Sequence, residues 1–431
     1  MSPSSHSGHS NDERGFDRVC MVGLGYIGLP TAAVMASHGV KVLGVDVDPH
    51  VVETVNRGEI HIVEPLLDAV VSKAVASGCL KAATAPEPCD AFIIAVPTPI
   101  TSEKCADLRY VLSAARAVAP VLKRGDLVVL ESTSPVGATE AMIAVMAEMR
   151  PDLRFPGSGE HDIHVAYCPE RVLPGRVVEE LVSNDRAIGG MTPHCTARAK
   201  ALYRLFVEGE LIGTSTRAAE LTKLAENAFR DVNIAFANEL ANVCDIKGID
   251  VWEVIALANR HPRVNILRPG PGVGGHCIAV DPWFIVEAAP HDTPLIKAAR
   301  TVNDARPHRV LEQVSEAIHG LERPVVACLG LAFKPDIDDL RESPAVEVAM
   351  ALGARDDLSV LAVEPNITTL PEALSAQGVK LVGLEEAMGA DLVLVLVDHT
   401  PFKRQAALID GAKRLIDTRG ITPWRAGALR S

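Results

Sequence analysis

Short apolar runs punctuate the chain. They span Arg18 to Val22, Val40 to Val45, Ala91 to Val96, Leu127 to Leu130 and His164 to Cys168, and later Val325 to Leu329, Val360 to Val363, Leu392 to Val397 and Leu415 to Asp417. Brief, continuous apolar runs of this kind suit parallel strands buried on both faces. Between them apolar residues return at helical spacing, so strands and helices alternate. The rhythm breaks from Arg217 to Lys247, where the pattern predicts one long helix. Glu220, Lys223, Asn227 and Arg230 share a face there, being three or four residues apart, while Leu221, Leu224, Ala225, Ala228 and Phe229 offer apolar contacts. Asn227 and Asn233 are unusual on a merely solvated face, so this helix reads as a spacer and interface element. A further helix is expected over Pro294 to Asn303.

With 431 residues and 48% hydrophobic content, the chain is long enough for two or three domains with sizeable cores. Aromatic residues make up only 4%, as in Val- and Ala-rich α/β proteins. A net charge of −13 argues against nucleic acid or an anionic membrane as partner, but not against an anionic small ligand. The nine cysteines include no CxxC pair, and no apolar run reaches membrane-spanning length. The polar start shows no signal peptide. A cytoplasmic protein with free thiols is expected, preceded by a disordered tail over residues 1–16.

Candidate chemistry begins at the first strand, which leads into Gly23-Leu24-Gly25-Tyr26-Ile27-Gly28. Helical spacing follows until His38-Gly39 supplies a stop, and the second strand ends at Asp46. A strand, a GxGxxG turn, a helix, a second strand and an acid make the dinucleotide-binding pattern. Gly25 lets the backbone approach a pyrophosphate, whose charge the helix N-terminus stabilises. Asp46 is placed to accept from both ribose hydroxyls and repels a 2′-phosphate, so the cofactor expected is NAD. The last third of the chain repeats the rhythm without a GxGxxG. Its Ser343 and Pro344 read as the N-cap and first residue of a helix. The fold class expected is therefore α/β, with two Rossmann-like doubly wound domains joined by a long central helical segment.

Polar residues gather at strand carboxyl ends, where open parallel sheets bind ligands. Pro97-Thr98-Pro99, Ser132-Thr133 and Pro169-Glu170-Arg171 are such clusters. Thr98 and Thr133 also suit helix caps, and Glu170 a surface ion pair. His161, Asp162 and His164 lie close in sequence, but no further ligand follows at a recognisable spacing, so no metal site is expected. The densest stretch runs from Pro269 to Ile285. Glycines at 270, 272, 274 and 275 precede Cys277, and Asp281 follows. Such a loop permits positive φ and close approach to a ligand, or it is a turn before a buried cysteine.

Together these motifs resemble the UDP-glucose/GDP-mannose dehydrogenase family, the nucleotide-sugar 6-dehydrogenases. The resemblance runs from about residue 17 to the end. It is carried by the glycine turn, Pro97-Thr98-Pro99, Ser132-Thr133 and Pro169-Glu170-Arg171. Lys223-Leu224-Ala225-Glu226-Asn227-Ala228, Gly274-Gly275-His276-Cys277 with Asp281, Gly330-Leu331-Ala332-Phe333-Lys334 and Arg341-Glu342-Ser343-Pro344 extend it. It implies an NAD-binding domain over 17–212, a central helical dimerisation domain with the cysteine loop over 213–312, and a C-terminal UDP-sugar-binding domain over 313–431.

It also implies a two-step oxidation of a sugar C6 alcohol to a carboxylate in a homodimer. Cys277 is then the nucleophile. Lys223 and Asn227 stabilise developing charge, and Asp281, a Lys223-bound water and Glu170 share proton handling. Gly23, Gly25, Tyr26, Ile27, Gly28, Asp46, Pro97, Thr98, Thr133 and Arg341 fall to the cofactor. Glu170, Arg171, Lys223, Asn227, Gly274, Gly275, His276, Phe333 and Lys334 fall to the substrate, with Arg263 reaching a neighbouring subunit's site. Lys334 and Arg341 meet anionic groups or pair with Asp338 or Asp339. The loop around His276 and Trp283 looks like the branch acting on UDP-N-acetyl-D-mannosamine, with N-acetylglucosamine and glucose enzymes as alternatives. Some glucose enzymes place a second glutamate four residues after the first. That position is Pro174 here, so no acid-base role transfers to it. A one-step alcohol dehydrogenase and a non-catalytic nucleotide-sugar binder are the other classes to separate.

Overall fold

The computed structural model describes residues 15–423, except 63, 158, 174 and 276. Most of the expected tail and His276 therefore lie outside the described residues. The chain divides into two compact units, Met1–Leu224 and Ala225–Ser431.

The first unit is built on eight strands. They are β1 (Arg18–Val22), β2 (Lys41–Val45), β3 (Leu80–Ala83), β4 (Ala91–Ile94), β5 (Leu127–Leu130), β6 (His164–Tyr167), β7 (Arg186–Gly190) and β8 (Leu211–Ser215). Their order is β3-β2-β1-β4-β5-β6-β7-β8, with every pair parallel except β6 and β7. The chain leaves β1 toward β2 on one side and returns to β4 on the other, so the crevice at their carboxyl ends lies at a topological switch point. Both faces are apolar because side chains alternate along each strand. Val19 and Met21 enter one core with the helix Gly28–Ser37, while Cys20 and Val22 enter the other. Strands β3, β7 and β8 were not legible as runs, since Lys81, Arg186 and several glycines interrupt them.

The second unit carries five parallel strands. They are β9 (Val325–Leu329), β10 (Ser359–Val363), β11 (Lys380–Leu381), β12 (Leu392–Val395) and β13 (Leu415–Asp417), in the order β11-β10-β9-β12-β13. One feature repeats between the sheets. In the first, Asp46 after β2 accepts the Leu24 amide beyond β1 at 3.0 Å. In the second, Glu364 after β10 accepts the Leu331 amide beyond β9 at 2.7 Å. A carboxylate after the second strand thus ties down the turn after the first in both. Ser343 caps the helix Pro344–Gly353 by accepting from Ala345 N–H, as expected.

The long helix runs from Thr216 to Lys247. The later helix Pro294–Ala317 extends well past Asn303, through Pro307. Buried polar groups join the two: Arg300 pairs with Asp231 at 2.6 Å, and Asn303 donates to Asp231 at 2.8 Å.

Candidate active site

At the glycine turn each glycine has a different reason. Gly23 has φ +94°, and a side chain at Gly28 would strike the carbonyl of Gly23. A Cβ at Gly25 would meet nothing within 4 Å, which leaves room above the turn for a pyrophosphate. No side chain caps the start of the helix Gly28–Ser37, so its positive end faces that room. Tyr26 is exposed and Ile27 half-buried beside it. Asp46 holds the turn through Leu24 N–H and the next loop through Asp48 N–H, each at 3.0 Å. Its carboxylate is thereby pre-positioned for further donors. Ser132 stitches the neighbouring loops: its Oγ accepts from Val96 N–H at 2.9 Å and donates to Val96 C=O at 2.7 Å. Those loops carry Pro97, Thr98 and Thr133. Thr98 Oγ1 is buried and finds no hydrogen-bond partner among the described residues. An orphaned hydroxyl, an open cradle and an acidic strand end suit a dinucleotide.

Beneath these loops lies a charged group that sequence reasoning missed. Arg186, only 3% exposed, reaches Glu170 at 2.9 Å and Glu131 at 3.4 Å. The Tyr203 hydroxyl donates to Glu131 at 3.1 Å. Burial pushes the Glu131 carboxyl up to about 8, with Arg186 opposing the rise and Glu170 adding to it. Near neutral pH the buried Glu131 carboxyl is therefore held mainly as the uncharged acid. Glu170 is buried rather than in a surface ion pair, and also accepts from Arg171 N–H at 2.6 Å. The available signal was an arginine opening the short buried strand β7.

The expected polar face of the long helix divides. Glu220 is fully buried and accepts from Gly137 N–H, Thr139 N–H and Thr139 Oγ1 at 2.8, 3.0 and 2.6 Å. It caps the helix Ala138–Met149, whose N-cap, Gly137, has no side chain of its own. Lys223 is half-buried, Asn227 buried and Arg230 exposed. Asn233 grips the backbone of the segment beyond Arg263, donating to Asn265 C=O and accepting from Leu267 N–H. Arg263 itself is exposed.

The cysteine loop is pinned along its length inside the second unit. Gly270 N–H donates to Asn238 at 3.0 Å, and its carbonyl accepts from Arg306 at 3.0 Å. Gly275 has φ +83°, and an added Cβ there would lie 2.9 Å from the Phe333 ring. At Gly274 it would meet the Glu342 carbonyl and Pro344. These two glycines therefore let the loop lie against the chain's own Phe333 and Pro344. The turn Cys277–Val280 then leads into the helix Asp281–Ala288. Asp281 N–H donates to the Cys277 carbonyl at 2.8 Å, and Asn227 Nδ2 donates to the Asp281 carboxylate at 2.5 Å. None of the nine cysteines is in a disulfide, and Cys277 alone among them is exposed. Phe333, Lys334, Ser343 and Arg419 line a small cleft with Pro271 and Gly272. Arg341 engages Asp339 at 2.7 Å, the pairing weighed above.

A glycine turn ending its second strand in an acid, joined in one chain to an exposed thiol and a second nucleotide-type sheet, defines an NAD-dependent oxidoreductase. Three models of one family match in succession: the NAD binding domain of the UDP-glucose/GDP-mannose dehydrogenase family over residues 17–207, its central domain over 217–305 and its UDP binding domain over 327–423. The chain belongs to the UDP-glucose/GDP-mannose dehydrogenase family. It is a UDP-sugar dehydrogenase using NAD.

Similar proteins include an NDP-N-acetyl-D-galactosaminuronic acid dehydrogenase of Ralstonia nicotianae, 59% identical over 95% of this chain and 97% of the relative. A UDP-N-acetyl-D-mannosamine dehydrogenase of Yersinia pestis is 56% identical over 95% of this chain and all of the relative. Among solved structures, the UDP-D-ManNAc dehydrogenase of Pyrococcus horikoshii has a TM-score of 0.86 at 37% identity, covering 96% of this chain and 98% of that one.

Proposed function

We propose that the enzyme oxidises the C6 alcohol of UDP-N-acetyl-D-mannosamine to the uronate through a covalent intermediate on Cys277. The observation that carries the mechanism is the lone exposed thiol, set one turn before the Asp281 carboxylate that Asn227 holds. Bound NAD supplies the hydride acceptor, and two are consumed because alcohol to carboxylate releases four electrons. The C6 hydroxyl loses its proton as the aldehyde forms. The Cys277 thiolate adds to the aldehyde carbon, giving a thiohemiacetal. Its oxidation leaves a thioester, which water cleaves to the carboxylate and the thiolate. Lys223 and Asn227 stabilise negative charge on the substrate oxygen in these steps. Asp281 takes up protons, with Glu170 and a Lys223-bound water as further candidates.

Gly25 and the helix after it receive the pyrophosphate, Asp46 the ribose, and Pro97, Thr98 and Thr133 border the nicotinamide end. Lys334 meets the substrate's anionic groups, and Gly274, Gly275 and Phe333 shape the sugar site. The domain limits 17–212, 213–312 and 313–431 follow this division of labour. Among the described residues no helix is long and apolar enough to cross a membrane. A homodimer fits the long helix, where Phe229, Phe236 and Val243 expose an apolar stripe at seven-residue spacing. Arg263 is then the residue to reach the neighbouring subunit.

The Yersinia and Pyrococcus proteins favour mannosamine, and the Ralstonia relative favours an N-acetylgalactosamine substrate as the second reading. The test is NADH production over a panel of UDP-sugars with product mass. UDP-N-acetyl-D-mannosamine should give two NADH per sugar and outrun UDP-glucose by a wide margin. Faster oxidation of UDP-N-acetylgalactosamine would overturn the sugar assignment and leave the chemistry standing. One NADH per sugar would overturn the two-step reading.

A further inference from the structure

The first unit brings together a group of metal-binding side chains far apart in sequence. His161 precedes β6, His164 opens it, and Cys195 lies in the first turn of the helix Pro193–Tyr203 after β7. One ligand atom from each lies within 4.8 Å of the others. His161 Nε2 is 3.5 Å from Cys195 Sγ. A tetrahedral zinc bound by one imidazole nitrogen and one thiolate holds those atoms about 3.5 Å apart. The rings of His161 and His164 meet edge to face, with centroids 5.2 Å apart, so their nitrogens converge from different directions. His194 stacks on His164, at 4.7 Å and 9° between planes, and fixes that ring.

Two donors face the Cys195 sulfur. Thr192 Oγ1 donates to Cys195 Sγ at 3.2 Å, and Val165 N–H donates to the same sulfur at 3.4 Å. Asp162, the sequence neighbour, is not part of the group. Its carboxylate is held by Arg154 at 3.0 Å on the other side of the connection.

We propose that His161, His164 and Cys195 bind a zinc-type divalent cation, with water in the fourth position. One thiolate and two imidazoles are a zinc donor set. Binding replaces the Cys195 S–H bond with an S–metal bond and releases that proton to solvent. The ion clamps the connection before β6 to the helix after β7, across the sheet's antiparallel step. His161 and His164 are half-exposed and provide the entry path.

The experiment uses the full chain in a Cys277→Ser background, which removes the exposed thiol as a competing ligand. After chelator treatment the protein is titrated with Co2+. One equivalent should produce a near-ultraviolet thiolate-to-cobalt band with tetrahedral visible bands, both displaced by Zn2+. Cys195→Ser should abolish the near-ultraviolet band. His161→Asn, at a half-exposed position, should weaken Co2+ binding by about tenfold or more and remove the Zn2+-dependent rise in melting temperature. If Cys195→Ser does not fold, His161→Asn decides the matter alone. A parent without the cobalt band, or a His161→Asn variant that binds as the parent does, would overturn the site and leave a thiol–imidazole hydrogen bond.

Discussion

Asn227 and Asp281 lie 54 residues apart in sequence and meet at 2.5 Å. The amide comes from the long helix and the carboxylate from the first turn of another. Because the Asp281 amide also holds the Cys277 carbonyl, the pair anchors the thiol-bearing turn to the long helix. Rigid support of this kind fixes a reacting group more closely than a free loop does.

If Asp281 handles protons, Asp281→Asn should lower kcat by roughly 10²–10⁴-fold. Asn227→Ala should lower kcat by about 10²-fold or more while substrate still binds. Steady-state kinetics across pH with melting curves checks both. Lower melting temperatures with unchanged kcat/KM would make the pair merely structural.

The covalent mechanism stands on Cys277. Cys277→Ala should bind NAD and UDP-sugar yet make almost no uronate, because the aldehyde lacks a thiol to hold it as an oxidisable adduct. Cys277→Ser should allow at best a sluggish ester route, since an alkoxide leaves less readily than a thiolate. Uronate formed and NADH per sugar are the measurements. Near-parental uronate from the alanine variant would mean the aldehyde is oxidised as its hydrate.

Glu131 should make stability depend on pH. Its carboxyl sits at about 8 in the folded chain, against an ordinary glutamate value of 4.5, so the folded state holds a proton that the unfolded state releases between those values. This contribution is complete below pH 4.5 and is lost as pH rises through about 8. Glu131→Gln keeps the uncharged form, so its melting temperature should gain on the parent between those limits and level off above. Removing the cation is harsher: Arg186→Met should cost about 3–5 kcal/mol, because it leaves Glu170 buried without its partner. Denaturation curves over a pH series test both.

The apolar stripe on the long helix predicts a subunit contact. Phe229 and Phe236 are 68% and 53% exposed, too much apolar surface on one helix face to leave in water without a reason. Phe229→Glu with Phe236→Glu should give a monomer by light scattering with intact secondary structure. Retained dimers would move the interface elsewhere.

Local chemistry explains what could be read in advance. The strands β1, β2, β5 and β9 and the glycine turn follow from short-range rules: continuous apolar runs bury on both faces, and only glycine accepts the φ at Gly23. The long helix was legible because its period holds over many turns. Strands β3, β7 and β8 were not, because neighbouring strands, rather than their own composition, make them strands. The extension of the helix through Pro307 was hidden for a similar reason, since packing overrides the loss of one backbone hydrogen bond.

The candidate site shows the same division. Sequence alone singled out Cys277, Asp281, Asn227, Glu170 and the glycines, since each belongs to a compact motif. It could not pair Asn227 with Asp281, or find Arg186 between Glu131 and Glu170, because those partners meet only through the packing of distant elements. Nor could it separate Glu220, buried as a cap for another helix, from Lys223 one turn away. The candidate site residues were thus set by local pattern. Which of them touch, which are buried and which carry charge was decided by the tertiary structure, because desolvation and Coulomb interaction depend on distance in space and not on separation along the chain.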